Sequence, residues 1–186
     1  MAFSLSQLDY SWTLFLDRDG VINYEIQGTY VRNWEEFIFY PQAPENIAYF
    51  NKRFQHVILA TNQRGITKGI ISLEDLQNIH SNMIRQIEMR DGKIDRIYFC
   101  LDMDDFSPCR KPNPGMALQA VVDYPEIDLG KSIMVGNNIS DMLFGRNAGM
   151  KTVFLKTTSP DIAIANECID LHFNNLDEFA SALKKS

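Results

Sequence analysis

The chain has 186 residues, 45% hydrophobic and 23% charged, which excludes a disordered tract or collagen-like repeat and suits one globular domain over residues 1–186. A domain of this size buries roughly 70% of its extended-chain surface, so it can fold without a disulfide or metal staple. The balance of 24 acidic against 18 basic residues gives a net charge of -6. That argues against nucleic acid or an anionic membrane as partner and leaves a small anionic ligand, held by a few local cations, as the class to expect.

The first buried-strand candidate, Thr13 to Leu16, stops at Asp17-Arg18-Asp19-Gly20. An irregular stretch follows to Pro41, and Pro44 suits the first turn of a helix running to about Arg53. Val57 to Ala60 reads as the second strand, stopping at Thr61-Asn62-Gln63-Arg64-Gly65. Ser72 caps the clearest helix, with Asp75 as its capping-box partner, apolar residues from Leu73 to Ile87 at helical spacing and Gly92 at the exit. Ile94 to Cys100 is the third strand, followed by a polar loop through Cys109-Arg110-Lys111-Pro112 and a helix from Pro114 to about Val122. Ile133 to Val135 is the fourth strand, leading into Gly136-Asn137-Asn138 and a helix from about Ser140 to Ala148, with Thr152 to Leu155 the fifth strand. Leu171 to Phe173 is a sixth candidate, and a helix from Leu176 closes the chain.

Strands alternating with helices of this length imply right-handed βαβ units and an open, mainly parallel sheet flanked by helices. In such sheets ligands bind at the carboxyl ends of the strands. The polar clusters of this sequence all follow strands.

Each cluster has two readings. Asp17 and Asp19 are either solvated loop acids or a nucleophile and an acid/base group around Mg²⁺. In extended backbone both would project to one side, and their repulsion would call for a shared proton or a cation. Thr61 is either a turn residue satisfying its own backbone or a hydroxyl that cradles phosphate. Lys111 is either solvated or a counter-charge to phosphate and carboxylate. Asn137 is a turn residue or a metal-side ligand, and Asp141 an early-helix acid or the same. In order, a carboxylate pair, a hydroxyl, a lysine and a metal-side group appear one per strand end, which is a complete set for phosphoryl transfer.

The run Phe15 to Asn23, with Thr61-Asn62-Gln63, Cys109-Arg110-Lys111-Pro112 and Val135-Gly136-Asn137, resembles the haloacid dehalogenase (HAD) superfamily. Within it the match is closest to the heptose-bisphosphate and histidinol-phosphate phosphatases. The resemblance spans about Leu14 to Leu155 and implies a Rossmann-like HAD core with a minimal cap. It implies that Asp17 attacks phosphorus, that Asp19 is the acid and base, and that Thr61 and Lys111 bind the phosphoryl oxygens. By the same resemblance Arg18, Asn62, Gln63, Arg64, Arg110 and the loop of Gly28, Thr29 and Tyr30 meet the rest of a small phosphorylated metabolite. Mg²⁺ would be held by Asp17, Asp19 and Asn137, with Asp141 as a further metal-side acid.

The chain departs from that pattern in two places. Related sequences carry a zinc loop, but here only Cys100 and Cys109 match, while Asp102 and Ser107 replace the other ligands, so no structural zinc is expected. Asn137 stands where the pattern has Asp, which removes one negative charge from the metal site. Three cysteines, Cys100, Cys109 and Cys168, make an odd number without a dense framework. They are read as reduced thiols in a cytoplasmic protein with no signal peptide and no membrane span.

Overall fold

The computed structural model describes residues 3–158 and 167–186. The chain runs β1 (Thr13–Leu16), α1 (Ala43–Phe50), β2 (His56–Asn62), α2 (Leu73–Glu88), β3 (Arg96–Cys100), α3 (Gly115–Asp123) and β4 (Ser132–Gly136). It continues through α4 (Ile139–Ala148), β5 (Lys151–Leu155), β6 (Leu171–Phe173) and α5 (Leu176–Lys185). The strands form one sheet in the order β3-β2-β1-β4-β5-β6, and every pairing is parallel. This is the open, doubly wound α/β architecture expected from the alternation of strands and helices. No helix among the described residues is long and apolar enough to cross a membrane.

The strands read as unbroken apolar runs because both faces of the sheet are covered. Leu14, Leu16, Val57, Leu59, Ile133 and Val135 point into one core, which takes the buried sides of α1, α2 and α5. Phe15, Ile58, Ala60 and Met134 point into the other, against Met116, Ala117 and Ala120 of α3 and Phe144 of α4. Alternation along each strand therefore sorts side chains between two cores, not between core and solvent.

The strand order reverses at β1, whose neighbours are β2 on one side and β4 on the other. Diverging connections open a crevice at the carboxyl ends of these strands, the place where ligands bind in such sheets. β2 is longer than the sequence suggests. Thr61 and Asn62 pair with Phe99 and Cys100 of β3, and Gln63 N–H donates to Cys100 O at 2.7 Å. A polar pair that looks like a turn stays in the ladder because β3 still offers it backbone partners.

The reading of three reduced cysteines is corrected for one pair. Cys100, at the end of β3, is joined to Cys109 in a disulfide, with Cα atoms 5.6 Å apart. The loop between them doubles back, which the nine-residue spacing alone does not reveal. Neither sulfur is then a thiolate, the form that ligates metal. Cys168 is buried.

Leu59 lies in β2, fully buried between Leu16 of β1 and Ile97 of the edge strand β3. Leu59→Ala should lower unfolding free energy by about 3 kcal/mol, the usual cost of such a cavity. Urea denaturation checks this, and a loss below about 1 kcal/mol would contradict the packing described.

Candidate active site

Asp17 leaves the sheet at the crevice, its N–H still donating to Val135 O of β4 at 3.0 Å. The chain then folds back on itself, and Arg18 O accepts from the N–H groups of Val21, Ile22 and Asn23. Gly20 takes φ +81° in this turn, and a Cβ there would lie 2.1 Å from Asn137 Nδ2. Only glycine meets both demands. Asp17 and Asp19 line one cavity of about 250 Å³, but they face different partners.

Asp17 faces Lys111. The Lys111 ammonium lies 2.9 Å from Asp17 Oδ1 and 2.7 Å from Asp141 Oδ1, and it donates to Ala60 O at 2.9 Å. Burial pushes the Asp17 pKa up to about 6, with Lys111 opposing and Asp141 adding to the rise. Burial pulls the Lys111 ammonium down, but Asp141 and Asp17 outweigh it and hold its pKa above the ordinary lysine value. Asn62 fixes the lysine's backbone by a reciprocal pair, Lys111 N–H to Asn62 Oδ1 at 3.1 Å and Asn62 Nδ2 to Lys111 O at 3.2 Å.

Asp19 faces Arg18, which holds it with Nη2 at 2.8 and 2.9 Å and Nε at 3.2 Å. Asn23 Nδ2 and Gln63 Nε2 donate to the same carboxylate at 2.9 and 3.1 Å. Burial raises the Asp19 pKa, but the Arg18 charge and these hydrogen bonds win, leaving it below the usual carboxylate value. Arg18 was expected to meet substrate; instead it is 1% exposed and does not line the cavity. Its Nη1 lies 3.2 Å from His80 Nε2 of α2. Burial, and then the adjacent guanidinium, push the His80 pKa down to about 3, so the ring is a neutral acceptor. A bidentate guanidinium needs a buried acceptor for its remaining donors, and His80 is that acceptor.

Thr61 is buried at the end of β2 and lines the cavity, while Gln63 is buried below it and donates to Thr61 Oγ1 at 3.0 Å. Gln63 therefore orients Thr61 and Asp19 and is not a lining residue. Thr29, Tyr30, Arg64 and Arg110 line the cavity. Tyr30 OH accepts from Arg64 Nε at 3.2 Å, and Arg110 Nε reaches Asp105 Oδ1 at 2.9 Å. Gly28, with φ +77°, shapes the loop without lining the cavity.

On the β4 side Asp141 spends both oxygens locally. Oδ1 pairs with Lys111, and Oδ2 accepts from the N–H groups of Asn137 and Asn138 at 3.2 and 3.0 Å. Gly136 permits this, because a Cβ there would sit 2.3 Å from Asp141 Cβ. Asp141 lines the cavity and also acts on the site through Lys111. Asn137 is fully buried and does not line the cavity. Its Nδ2 donates to Thr158 Oγ1 at 2.7 Å and to Glu25 Oε2 at 3.3 Å.

Glu25, Ile26, Val31, Asn138 and Ser140 also line the cavity, and sequence reasoning named none of them as a site residue. The signal for Glu25 was a carboxylate two residues beyond Asn23. The signal for His80 was a polar residue on the buried face of α2, between Ile79 and Met83.

Two buried side-chain oxygens here are unsatisfied, one on the cavity and one behind it. Asp17 Oδ1 and Asn137 Oδ1 are buried without a hydrogen-bond partner, although Oδ1 of Asp17 has its ion pair with Lys111. Carboxylate and amide oxygens of this kind suit a hard divalent cation.

His80 carries a pH prediction. The unfolded chain binds a proton at this residue below about pH 6.5, whereas the fold resists it to about 3. Stability therefore falls as pH falls through 6.5, by about 2 kcal/mol between pH 7 and pH 5 from this group. Urea denaturation of a His80→Gln variant, which keeps an acceptor for Arg18, should show that much less loss over the same interval. Equal losses in parent and variant would show that His80 is not held neutral.

Comparisons with known proteins agree with this geometry. The HAD-hydrolase-like family model matches residues 108–178. D-glycero-alpha-D-manno-heptose-1,7-bisphosphate 7-phosphatase of Mycobacterium tuberculosis is 32% identical over 94% of this chain and 92% of its own. The enzyme of the same name from Campylobacter jejuni is 40% identical over 76% of this chain and 80% of its own. The structure of D,D-heptose 1,7-bisphosphate phosphatase from B. bronchiseptica, complexed with magnesium and phosphate, superposes with a TM-score of 0.82 at 29% identity. That match covers 94% of this chain and 98% of that one. Likeness at this identity over nearly the whole length, on a crevice that carries the required acids and lysine, establishes the family: the chain belongs to the HAD-like hydrolases and is a phosphatase of that superfamily.

Proposed function

We propose that the protein hydrolyses a phosphomonoester of a sugar bisphosphate, with D-glycero-D-manno-heptose 1,7-bisphosphate as the leading substrate, through an aspartyl-phosphate on Asp17. The observation that carries this reading is the buried Asp17 carboxylate 2.9 Å from the Lys111 ammonium, at the sheet's switch point. The names of the relatives supply the sugar.

In this reading Lys111 and the Thr61 hydroxyl bind the transferring phosphoryl oxygens. Lys111 also holds Asp17 ionised in line for attack, so catalysis is mainly positioning and charge neutralisation. An Asp17 oxygen bonds to phosphorus as the bond to the sugar oxygen breaks, and Asp19 donates its proton to that oxygen. Asp19 is ionised in the resting site, but a phosphate dianion arriving beside it raises its pKa by like-charge repulsion. Asp19 then takes a proton from water, which attacks phosphorus and frees Asp17 and inorganic phosphate. Mg²⁺, bound near Asp17, the Asp19 backbone carbonyl and Asn137, would neutralise charge developing on the phosphoryl group. Arg64 and Arg110 are the cations left to meet a second phosphate, with Thr29 and Tyr30 beside them. The cytoplasmic location expected from the sequence stays part of this proposal.

A phosphate-release screen over sugar bisphosphates, sugar monophosphates and histidinol phosphate, with Mg²⁺ and with chelator, tests it. The expected result is Mg²⁺-dependent release, fastest from the heptose bisphosphate. Release from histidinol phosphate alone would overturn the sugar assignment. Asp17→Asn should abolish turnover with the melting transition retained, because the substitution removes charge and not packing. Asp19→Asn should slow turnover by about 10²–10⁴-fold, the usual contribution of a general acid–base group. Near-parental turnover by Asp17→Asn would exclude the covalent route.

A further inference from the structure

On the cavity's β4 side the carboxylate from α4 is Asp141, and its charge is shared with Lys111. Asn137 brings an amide, and Asp141 is bound on both oxygens by Lys111 and two backbone N–H groups. Negative charge reaches this side from another element. The segment after Asn23 is pinned by an antiparallel bridge between Asn23 and Phe39 and by Tyr24 N–H donating to Ile38 O at 2.9 Å. It delivers the exposed Glu25 to the cavity, where Oε2 accepts from Asn137 Nδ2 at 3.3 Å.

The amide is oriented by this contact. With Nδ2 committed to Glu25 and to Thr158 Oγ1, Oδ1 becomes the free acceptor, and it is buried with no partner. A buried acceptor without a donor is costly, and a cation is the partner that suits both it and the neighbouring carboxylate. A carboxylate at position 137 would instead face Glu25 with like charge and no donor between them.

We propose that Glu25 is a metal-site carboxylate of this protein, holding the divalent cation together with Asp17 and Asn137 Oδ1, so that the charge absent at position 137 is supplied from position 25. This rests on the metal-dependent reading of the site given above. Asn137 is then a fitted partner of Glu25, and the two positions form one unit.

The test measures metal binding without substrate, by calorimetric titration of Mg²⁺ into the apoprotein and by the rise in melting temperature with added Mg²⁺. Glu25→Gln keeps an acceptor for Asn137 Nδ2 and loses the charge. It should weaken Mg²⁺ binding by on the order of tenfold or more, with the apoprotein's melting temperature unchanged. Asn137→Asp combined with Glu25→Gln returns one carboxylate to the pair and should recover affinity to within about threefold of the parent. Parental affinity in Glu25→Gln would overturn the proposal, as would a double variant as weak as the single one, since the loop and not the charge would then matter. Asp17→Asn separates this inference from the function beneath it. If Asp17→Asn loses Mg²⁺ and Glu25→Gln does not, the phosphatase site stands and the role of Glu25 falls. If the parent binds no Mg²⁺ and releases no phosphate, both readings fall.

Discussion

The Lys111 ammonium joins the acids of two separate strand ends, and most of the site follows from where it sits. It lies within 2.9 Å of Asp17 after β1 and 2.7 Å of Asp141 in α4, and it donates to the Ala60 carbonyl in β2. The ammonium meets three oxygens, and the side chain is buried. Without it, two buried carboxylates would face each other uncompensated, a penalty of about 3–5 kcal/mol for a broken buried pair. Asn62 fixes the lysine's backbone, and Gly136 leaves the room that Asp141 needs to approach it.

Charge around this contact is unevenly matched. Lys111 balances part of the Asp17–Asp141 pair, and Arg18 is consumed by Asp19. The remaining negative charge, with Glu25, faces the cavity. A surplus of hard oxygen donors beside the cations Lys111, Arg64 and Arg110 suits a divalent ion bound with a phosphate. The pKa values of the two cavity acids are shifted in opposite directions by their surroundings. Burial lifts the pKa of Asp17, while Arg18, Asn23 and Gln63 depress that of Asp19. Arg18 and His80 exert their effect from inside the core, so Asp19 is set by α2 as well as by its own loop.

Much of the fold is legible in the sequence because the physical signals are local. Apolar runs such as Leu14 to Leu16 and Val57 to Ala60, separated by helical periods, give the elements to within a few residues. The capping box of Ser72 and Asp75 marks the start of α2 as expected. Asp17, Asp19 and Thr61 were legible as candidates because they sit at the ends of apolar strands, and Lys111 because it follows the third strand through a polar loop; a parallel sheet gathers strand ends on one edge. The extent of β2 was not legible, since Thr61 and Asn62 look like turn residues until β3 offers them a ladder.

The sequence by itself determined the α/β class, the parallel alternation and the candidate groups for phosphoryl transfer, because these depend on periodicity and on chemistry carried by single residues. The tertiary structure decided how those groups are shared out. It turned Arg18 inward to Asp19 and His80, made Gln63 an orienting residue, tied Asp141 to Lys111, joined Cys100 to Cys109 and brought Glu25 to Asn137. Each of these pairings spans separate segments or depends on a turn at positive φ, so its partner is fixed by packing and backbone path. Neither quantity is written in the spacing of the residues concerned.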